Sequence, residues 1–466
     1  MLLLLLACKP HPDPLPNAIG VLSDSGNERV VYVALASRTL LYSLELPALH
    51  PDDCGTEYGG TAPDNATCLP FQTDPEVVTD ETGPHDEVVV EYDRQAKDDF
   101  FERSAIERVR LGTTPEVVWR LDALDFLTNY ADRTDICAQA NPCDPVGVDP
   151  GEPLEAALRC RLAHAHDFDI LAEDTASVDL LIADTTNERV LSVHLDKATT
   201  CGVVTDVMDD STTPGWVRGR TPNDVDAVPL DNGDTGVLVT FRASNPDTVP
   251  DGGDGNGFAM LYVPGMLGWD QAWTFPASGF LNSPHDTSIV TSASGARFLV
   301  GAHSDGNGQH LQADWLQTTD SLGSISVAAL PDLLAPPDYR YDVVIAPSDD
   351  DPGIGFLRSA HPYRTGVDGP GDESAATDWI LADSGCMSEQ AGCPHTPSIR
   401  AIQFDLDDPL DSDASGAFEP GRAGQTFLSA LPTGDPLDCG FAVPYVVDLI
   451  WHAGDGIPAT GEACEQ

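Results

Sequence analysis

Apolar residues in this chain come in short runs, each ending at a small residue and a polar turn before alternation resumes. Val21-Leu22-Ser23-Asp24-Ser25-Gly26-Asn27-Glu28-Arg29-Val30-Val31 aligns with Leu181-Ile182-Ala183-Asp184-Thr185-Thr186-Asn187-Glu188-Arg189-Val190-Leu191. Each copy reads as a strand, a D-x-x-N-E-R turn and a second strand. An Asp/Gly/Asn turn between two such runs predicts a β-hairpin, with the Arg able to return to the Asp across the turn. A third copy, Ile380-Leu381-Ala382-Asp383-Ser384-Gly385, resumes at Ser398-Ile399-Arg400 after an insertion bracketed by Cys386 and Cys393. Weaker copies start at Val237 and Phe298, and a sixth is expected near Ile106-Glu107-Arg108-Val109.

A second repeated element precedes most of these copies: Pro84-His85-Asp86, Ala165-His166-Asp167, Pro222-Asn223-Asp224 and Pro284-His285-Asp286. Each opens a short apolar strand. A third element is an aromatic strand, as in Val117-Val118-Trp119 and Ala272-Trp273-Thr274-Phe275. Six copies of a several-stranded unit over roughly 430 residues predict an all-β fold, a six-bladed β-propeller, within the usual four to eight blades. A β-sandwich array or a solenoid is the alternative, but solenoid repeats are shorter and more regular. The propeller is expected over 19–452, with 453–466 a C-terminal tail tied down by a disulfide. Insertions at about 50–83, 125–162, 304–324 and 364–376 are expected to be rim loops, in keeping with the habit of insertions to map to loops. The stretch from Phe441 to Trp451 is expected to close the ring.

Charge narrows the function classes. The 466 residues carry 76 Asp+Glu against 23 Lys+Arg, a formal net charge of −53. Such a chain repels phosphate backbones and anionic lipid, which excludes a general nucleic-acid binder and electrostatic docking on a membrane. With 41% hydrophobic and 21% charged residues it is not a charge-dense disordered chain.

The opening Met1-Leu2-Leu3-Leu4-Leu5-Leu6-Ala7-Cys8 resembles the end of a bacterial lipoprotein signal peptide, here 1–8, with Cys8 as the lipidated residue. The Pro-rich 9–18 then reads as an extended tether. On this reading the membrane is met only through the lipid, and the protein is exported to the periplasm or the outer cell surface. Cysteine arithmetic agrees. Eleven Cys leave ten once Cys8 is set aside, and these fall into neighbouring couples. The expected disulfides are Cys54–Cys68, Cys137–Cys143, Cys160–Cys201, Cys386–Cys393 and Cys439–Cys464. Paired C-x₂-C zinc spacing is absent, so an oxidising compartment is the better reading.

The repeated elements resemble the arylsulfotransferase-like propeller family, in which an H-D opens a strand, an apolar strand leads into A-D-x-x-N-x-R-V, and an aromatic strand follows. His166-Asp167-Phe168-Asp169-Ile170-Leu171, Leu180 to Val190 and Val117-Val118-Trp119-Arg120 carry the match. D-x-x-N-x-R-V is also similar to NHL-type propeller repeats. The family resemblance implies a six-bladed propeller with a funnel near the axis. It also implies sulfuryl transfer between phenolic compounds through a histidine nucleophile.

Serine-hydrolase, zincin and nucleotide-binding signatures are missing. His85, His166 and His285 occupy one repeat position and are the candidate catalytic residues. On innermost strands they would gather around the axis, where a His nucleophile beside cationic partners suits sulfuryl transfer. The alternative is a structural His-Asp turn, which Asn223 in the fourth copy favours. His164 and His166 form an H-x-H pair without an identifiable third metal ligand. Arg218, Arg220 and Arg364 are candidate anion-binding residues, through the fork geometry of Arg. Asp411, Asp413, Ser415 and Glu419 fit the early positions of a Ca²⁺ loop, although position 12 is Arg422. No cofactor is required by this chemistry, and Ca²⁺ is the one candidate ion. The expected partner is a small aromatic or anionic substrate. The rival is a non-catalytic propeller that presents rim loops to a protein or glycan.

Overall fold

The computed structural model describes residues 18–51, 54, 66–80, 83–96, 103–126, 161–216, 220–243, 256–266, 268–276, 281–282, 284–292, 294–303, 324–345, 357–363, 378–384, 397–403, 406, 427–430, 439, 441–450, 457–458 and 461–464. They form six mainly antiparallel sheets arranged as a six-bladed β-propeller. Blade 1 is built on Ile19–Asp24, Arg29–Ala34 and Thr39–Glu45. Its innermost strand comes from the other end of the chain, Pro444–Ile450, paired antiparallel to Ile19–Asp24. The ring therefore closes where the sequence predicts. Glu462–Ala463 then pairs with the outer edge of the same blade.

Blades 2 to 5 each begin at the axis and run outward: from Ala66–Asp80, Ala165–Glu173, Arg220–Pro229 and Pro284–Thr291 respectively. Blade 6 follows the same order in Leu357–Tyr363, Asp378–Asp383 and Ser398–Gln403. Two short strands, Ala123–Phe126 and Phe427–Ala430, add in parallel to the outer edges of blades 3 and 5. Covering an edge in this way removes unpaired N–H and C=O groups that would otherwise invite aggregation.

Blade 2 departs from the sequence expectation. Ala66–Asp80, placed inside a rim insertion by its poor resemblance to the repeats, is the inner strand of this blade. Pro84-His85-Asp86 opens the second strand, Gly83–Ala96. The sixth hairpin copy is accordingly Val88 to Asp93, and Ile106-Glu107-Arg108-Val109 lies on the third strand, Arg103–Arg110.

The apolar core is not a single hub. Six buried clusters lie between successive blades. Val21, Tyr32 and Leu44 of blade 1 meet Val88, Tyr92 and Val109 of blade 2. Ile106 and Trp119 meet Leu180 and Leu191 at the next interface. The series continues through Val237 and Phe241, Leu261 and Leu299, and Val300 and Trp379. It returns to blade 1 through Ile380, Leu22 and Val447. Strands buried on both faces in this way explain why the runs are continuously apolar rather than strictly alternating.

The D-x-x-N-E-R motif proves to be a latch. Asp24 accepts hydrogen bonds from Asn27 (2.7 Å) and Arg29 (3.0 Å), and from the backbone N–H groups of Ala442 and Val443. Asp184 repeats the pattern with Asn187, Arg189 (2.7 Å) and the N–H of Ala163. Arg400 lies 3.4 Å from Asp383 in blade 6. Each carboxylate thus pins a hairpin, and in blades 1 and 3 also the segment that enters the inner strand. The Glu inside the motif, Glu28 or Glu188, takes the left-handed conformation at φ 56° and 55° that closes the turn.

Two of the expected disulfides, Cys54–Cys68 and Cys439–Cys464, are formed. Cys201 is also disulfide-bonded. Cys8, Cys137, Cys143, Cys160, Cys386 and Cys393 lie outside the described residues. Disulfides persist in oxidising surroundings, which fits an extracellular or periplasmic protein. Among the described residues no helix is long and apolar enough to cross a membrane.

Candidate functional site

The six inner strands converge on a cavity of about 260 Å³ on the propeller axis, and every blade contributes to its wall. One alignment organises it. Phe71, His166, Asn223, His285, Arg358 and Tyr445 occupy equivalent positions near the start of the six inner strands. Three residues later stand Asp74, Asp169, Asp226, Ser288, His361 and Asp448. The cavity therefore has two tiers, one of rings, an amide and a guanidinium, the other dominated by carboxyls.

The residue between holds the tiers in place. Asp167 accepts the N–H of Val225 (2.7 Å), Asp224 that of Thr287 (2.9 Å), and Asp286 that of Ala360 (3.2 Å). Ser359 accepts that of Val447 (3.4 Å). Each side chain thus reaches one blade forward and satisfies an N–H on the free edge of its neighbour's inner strand. The Asp of the His-Asp repeat is a stitch between blades; the residue before it faces the axis.

In the upper tier, Arg358 lies 4.4 Å from the centre of the Tyr445 ring, and its Nη1 is 3.2 Å from Nε2 of His285. Asn223 donates to the backbone carbonyl of His285 (3.0 Å), which orients its amide and sets Nδ2 at 3.2 Å from the His285 Nδ1. Donors thus approach both ring nitrogens of His285, an arrangement that favours the neutral ring. Tyr445 OH lies 2.7 Å from Nδ1 of His166 in a hydrogen bond, and His166 Nε2 meets Nε2 of His164. Phe71 packs against both His166 and Tyr445, with centroids 5.0 and 4.8 Å away.

Burial first, then the nearby Arg358 and Arg242, push the His285 imidazole well below its ordinary pKa. Burial also lowers His166, followed by His164, Arg242 and Arg358. Both rings are neutral at physiological pH. The carboxyl tier shifts the other way. Burial raises Asp448 to about 7 and Asp74 to about 6, helped by neighbouring carboxylates. Asp224 and Asp286 reach about 7 for the same leading reason. Asp226 also lies well above the usual carboxylate range. In a chain of charge −53, these shifts leave the carboxyls only partly ionised near neutrality, which limits the repulsion among them.

The candidate residues separate clearly. His166 and His285 line the cavity. His85 does not: it lies on the second strand of blade 2, against the carbonyl of Gly83 and 3.0 Å from Glu87. The shared Pro-His-Asp string had placed it at the axis, but the blade's inner strand precedes that string. Arg220 opens the inner strand of blade 4, half buried over the Phe258 ring, and is not in the cavity wall. Arg218 and Arg364 lie outside the described residues, as do Asp411, Asp413, Ser415 and Glu419. The guanidinium that reaches the cavity is Arg358, and sequence reasoning missed it along with Tyr445. Proline offered a signal. Pro70, Pro222, Pro284 and Pro444 each stand one residue before an axial side chain, so Pro-Tyr-Val and Pro-His-Asp mark the same place. Among the described residues no group of three or more His, Cys, Asp or Glu is arranged to hold a metal ion.

No family model matches the chain, and no curated protein matches it. Solved structures resemble it in fold. A functionally unknown protein from Desulfotomaculum acetoxidans aligns over 92% of this chain and 98% of its own, with 12% identity and a TM-score of 0.37. A hypothetical selenium-binding protein from Sulfolobus tokodaii aligns over 98% and 97%, with 9% identity and a TM-score of 0.36. The endosialidase of phage phi92 aligns over 87% and 68%, with 9% identity and a TM-score of 0.44. At these identities the likeness concerns architecture alone.

Proposed function

We propose that the axial cavity binds a small aryl sulfate and transfers its sulfuryl group to a phenol, with His285 as the nucleophile. The observation that carries this reading is the convergence of neutral His285, Arg358 and Tyr445 on one wall of the cavity. A neutral imidazole carries one in-plane lone pair, which turns from its Asn223 or Arg358 donor to sulfur as substrate enters. As the N–S bond forms, the S–O bond to the aryl oxygen breaks and the phenolate leaves with that electron pair. Arg358 faces the sulfuryl oxygens, whose charge persists throughout, and Tyr445, backed by Phe71, offers its ring to the aryl group. The acceptor oxygen then forms a new O–S bond as the N–S bond breaks.

The test is release of 4-nitrophenolate from 4-nitrophenyl sulfate in the presence of phenol. We expect ping-pong kinetics, and a loss of at least about 10²-fold in kcat/KM for His285→Ala or Arg358→Ala in folded protein. Folded protein that binds the aryl sulfate without turnover would replace transfer by ligand binding. Neither binding nor turnover would favour the rival in which the rim loops recognise a protein or glycan.

A further inference from the structure

A line of four side chains runs from the cavity wall, at Tyr445 and His166, back to His164 and Asp93. Tyr445 OH contacts Nδ1 of His166, His166 Nε2 contacts Nε2 of His164, and His164 Nδ1 contacts the Oδ2 of Asp93. Asp93 is fully buried, and the hydroxyl of Ser104 donates to its other oxygen. Ser104 in turn accepts the N–H of Ala165, at the start of the strand that carries His166 (2.7 Å). His164 sits in the left-handed region at φ 49°, which few non-glycine residues adopt although histidine enters it more readily than most.

The repeat shows what is unusual here. Asp93 lies near the end of the second strand of blade 2, Gly83–Ala96, where the corresponding strands of blades 1 and 3 carry the latch residues Asp24 and Asp184. Those two are in register with Arg29 and Arg189, whereas Asp93 is in register with Ser104. Its carboxylate is turned instead toward His164, in the approach to the inner strand of blade 3.

We propose that Tyr445, His166, His164 and Asp93 form a proton relay that takes the proton from the acceptor phenol. This rests on the sulfuryl-transfer reading of the cavity. The donors settle its direction. Asp93 as a carboxylate requires Nδ1–H on His164. The Nε2 of His164 then accepts from Nε2–H of His166, whose Nδ1 accepts from Tyr445. When the acceptor phenol attacks sulfur, its proton passes to the Tyr445 oxygen and the Tyr445 proton passes to His166 Nδ1. The His166 Nε2 proton passes to His164 Nε2. His166 has exchanged one tautomer for the other and stays neutral. The positive charge rests on His164, paired with Asp93, and His164 is 24% exposed, so the proton has a route to solvent. Tyr445 is the catalytic member that meets substrate; His164 and Asp93 are positioning residues that act through His166.

The experiment separates the two half-reactions. Rapid mixing of 4-nitrophenyl sulfate with enzyme alone should give a burst of one equivalent of nitrophenolate, because this leaving group needs no proton. His164→Asn and Asp93→Asn should keep the burst. They should slow transfer to phenol by about 10²-fold or more while transferring normally to acidic phenols already ionised at the assay pH. Equal loss for both acceptor classes, or no loss for phenol, would overturn the relay. If the parent protein shows no burst, the sulfuryl reading fails. The relay is then judged by ¹⁵N NMR of labelled histidines, where His166 should carry its proton on Nε2 and His164 on Nδ1. The opposite tautomers would overturn it.

Discussion

Asp448 offers the sharpest test of the carboxyl tier, because one isosteric change removes the charge and leaves the shape. Its Oδ2 accepts a hydrogen bond from Thr73 (3.0 Å), a contact that an asparagine carbonyl can also make. Burial moves this carboxyl from 3.8 to about 7, against a smaller opposing effect from His361. A rise of that size is a factor of about 10³ in proton affinity, or about 4 kcal/mol. The sign follows from proton counts. Below about pH 4 both folded and unfolded chains hold the proton, and its effect on stability is nil. Between about pH 4 and 7 the folded chain keeps a proton that the unfolded chain has released, so stability falls as pH rises. Above about 7 the loss is complete. Asp448 keeps part of its surface toward the cavity, so about 4 kcal/mol is a ceiling and about 2 kcal/mol a reasonable expectation. Asp448→Asn should therefore be more stable than the parent at pH 8 and indistinguishable from it near pH 4. Urea unfolding at the two pH values, followed by tryptophan fluorescence, measures the difference. A variant no more stable than the parent at pH 8 would show that this carboxylate is not disfavoured by its surroundings.

Asp184→Ala leaves Arg189, which is 1% exposed, without its carboxylate, and should cost about 3–5 kcal/mol in urea unfolding. The double change Cys439→Ser, Cys464→Ser opens the loop that ties the ring-closing strand to the blade edge; it should lower stability by about 2–4 kcal/mol, read as an earlier urea midpoint.

The architecture was legible because its repeats are enforced by physics that tolerates little change. A buried latch aspartate must find an arginine and backbone donors, so D-x-x-N-E-R survives twice almost intact. The stitch aspartates are similarly constrained, which made His166 and His285 readable as neighbours of an invariant function. Blade 2 was harder. Its inner strand has Phe71-Gln72-Thr73 where three other blades have a His or Asn followed by Asp, and His85 presented the expected string in the wrong strand. Arg358 and Tyr445 were obscured for the opposite reason: Ser359 and Val446 replace the stitch aspartate, so the residues before them lost their marker. Asp93 and His164 meet only in three dimensions, 71 positions apart, and no periodicity announces such a pair.

The ring is closed by Pro444–Ile450, and that strand also brings Tyr445. Five axial side chains are in place once residues up to Leu357–Tyr363 have folded, but the sixth arrives with the strand that joins the last blade to the first. Assembly of the cavity and closure of the circle are therefore one event. During synthesis, the nascent chain can build blade after blade without completing the cavity. A product that stops short of residue 444 would be an open fan with exposed edges and an incomplete cavity. The cavity is thus completed last, by the same strand that certifies the chain has come full circle.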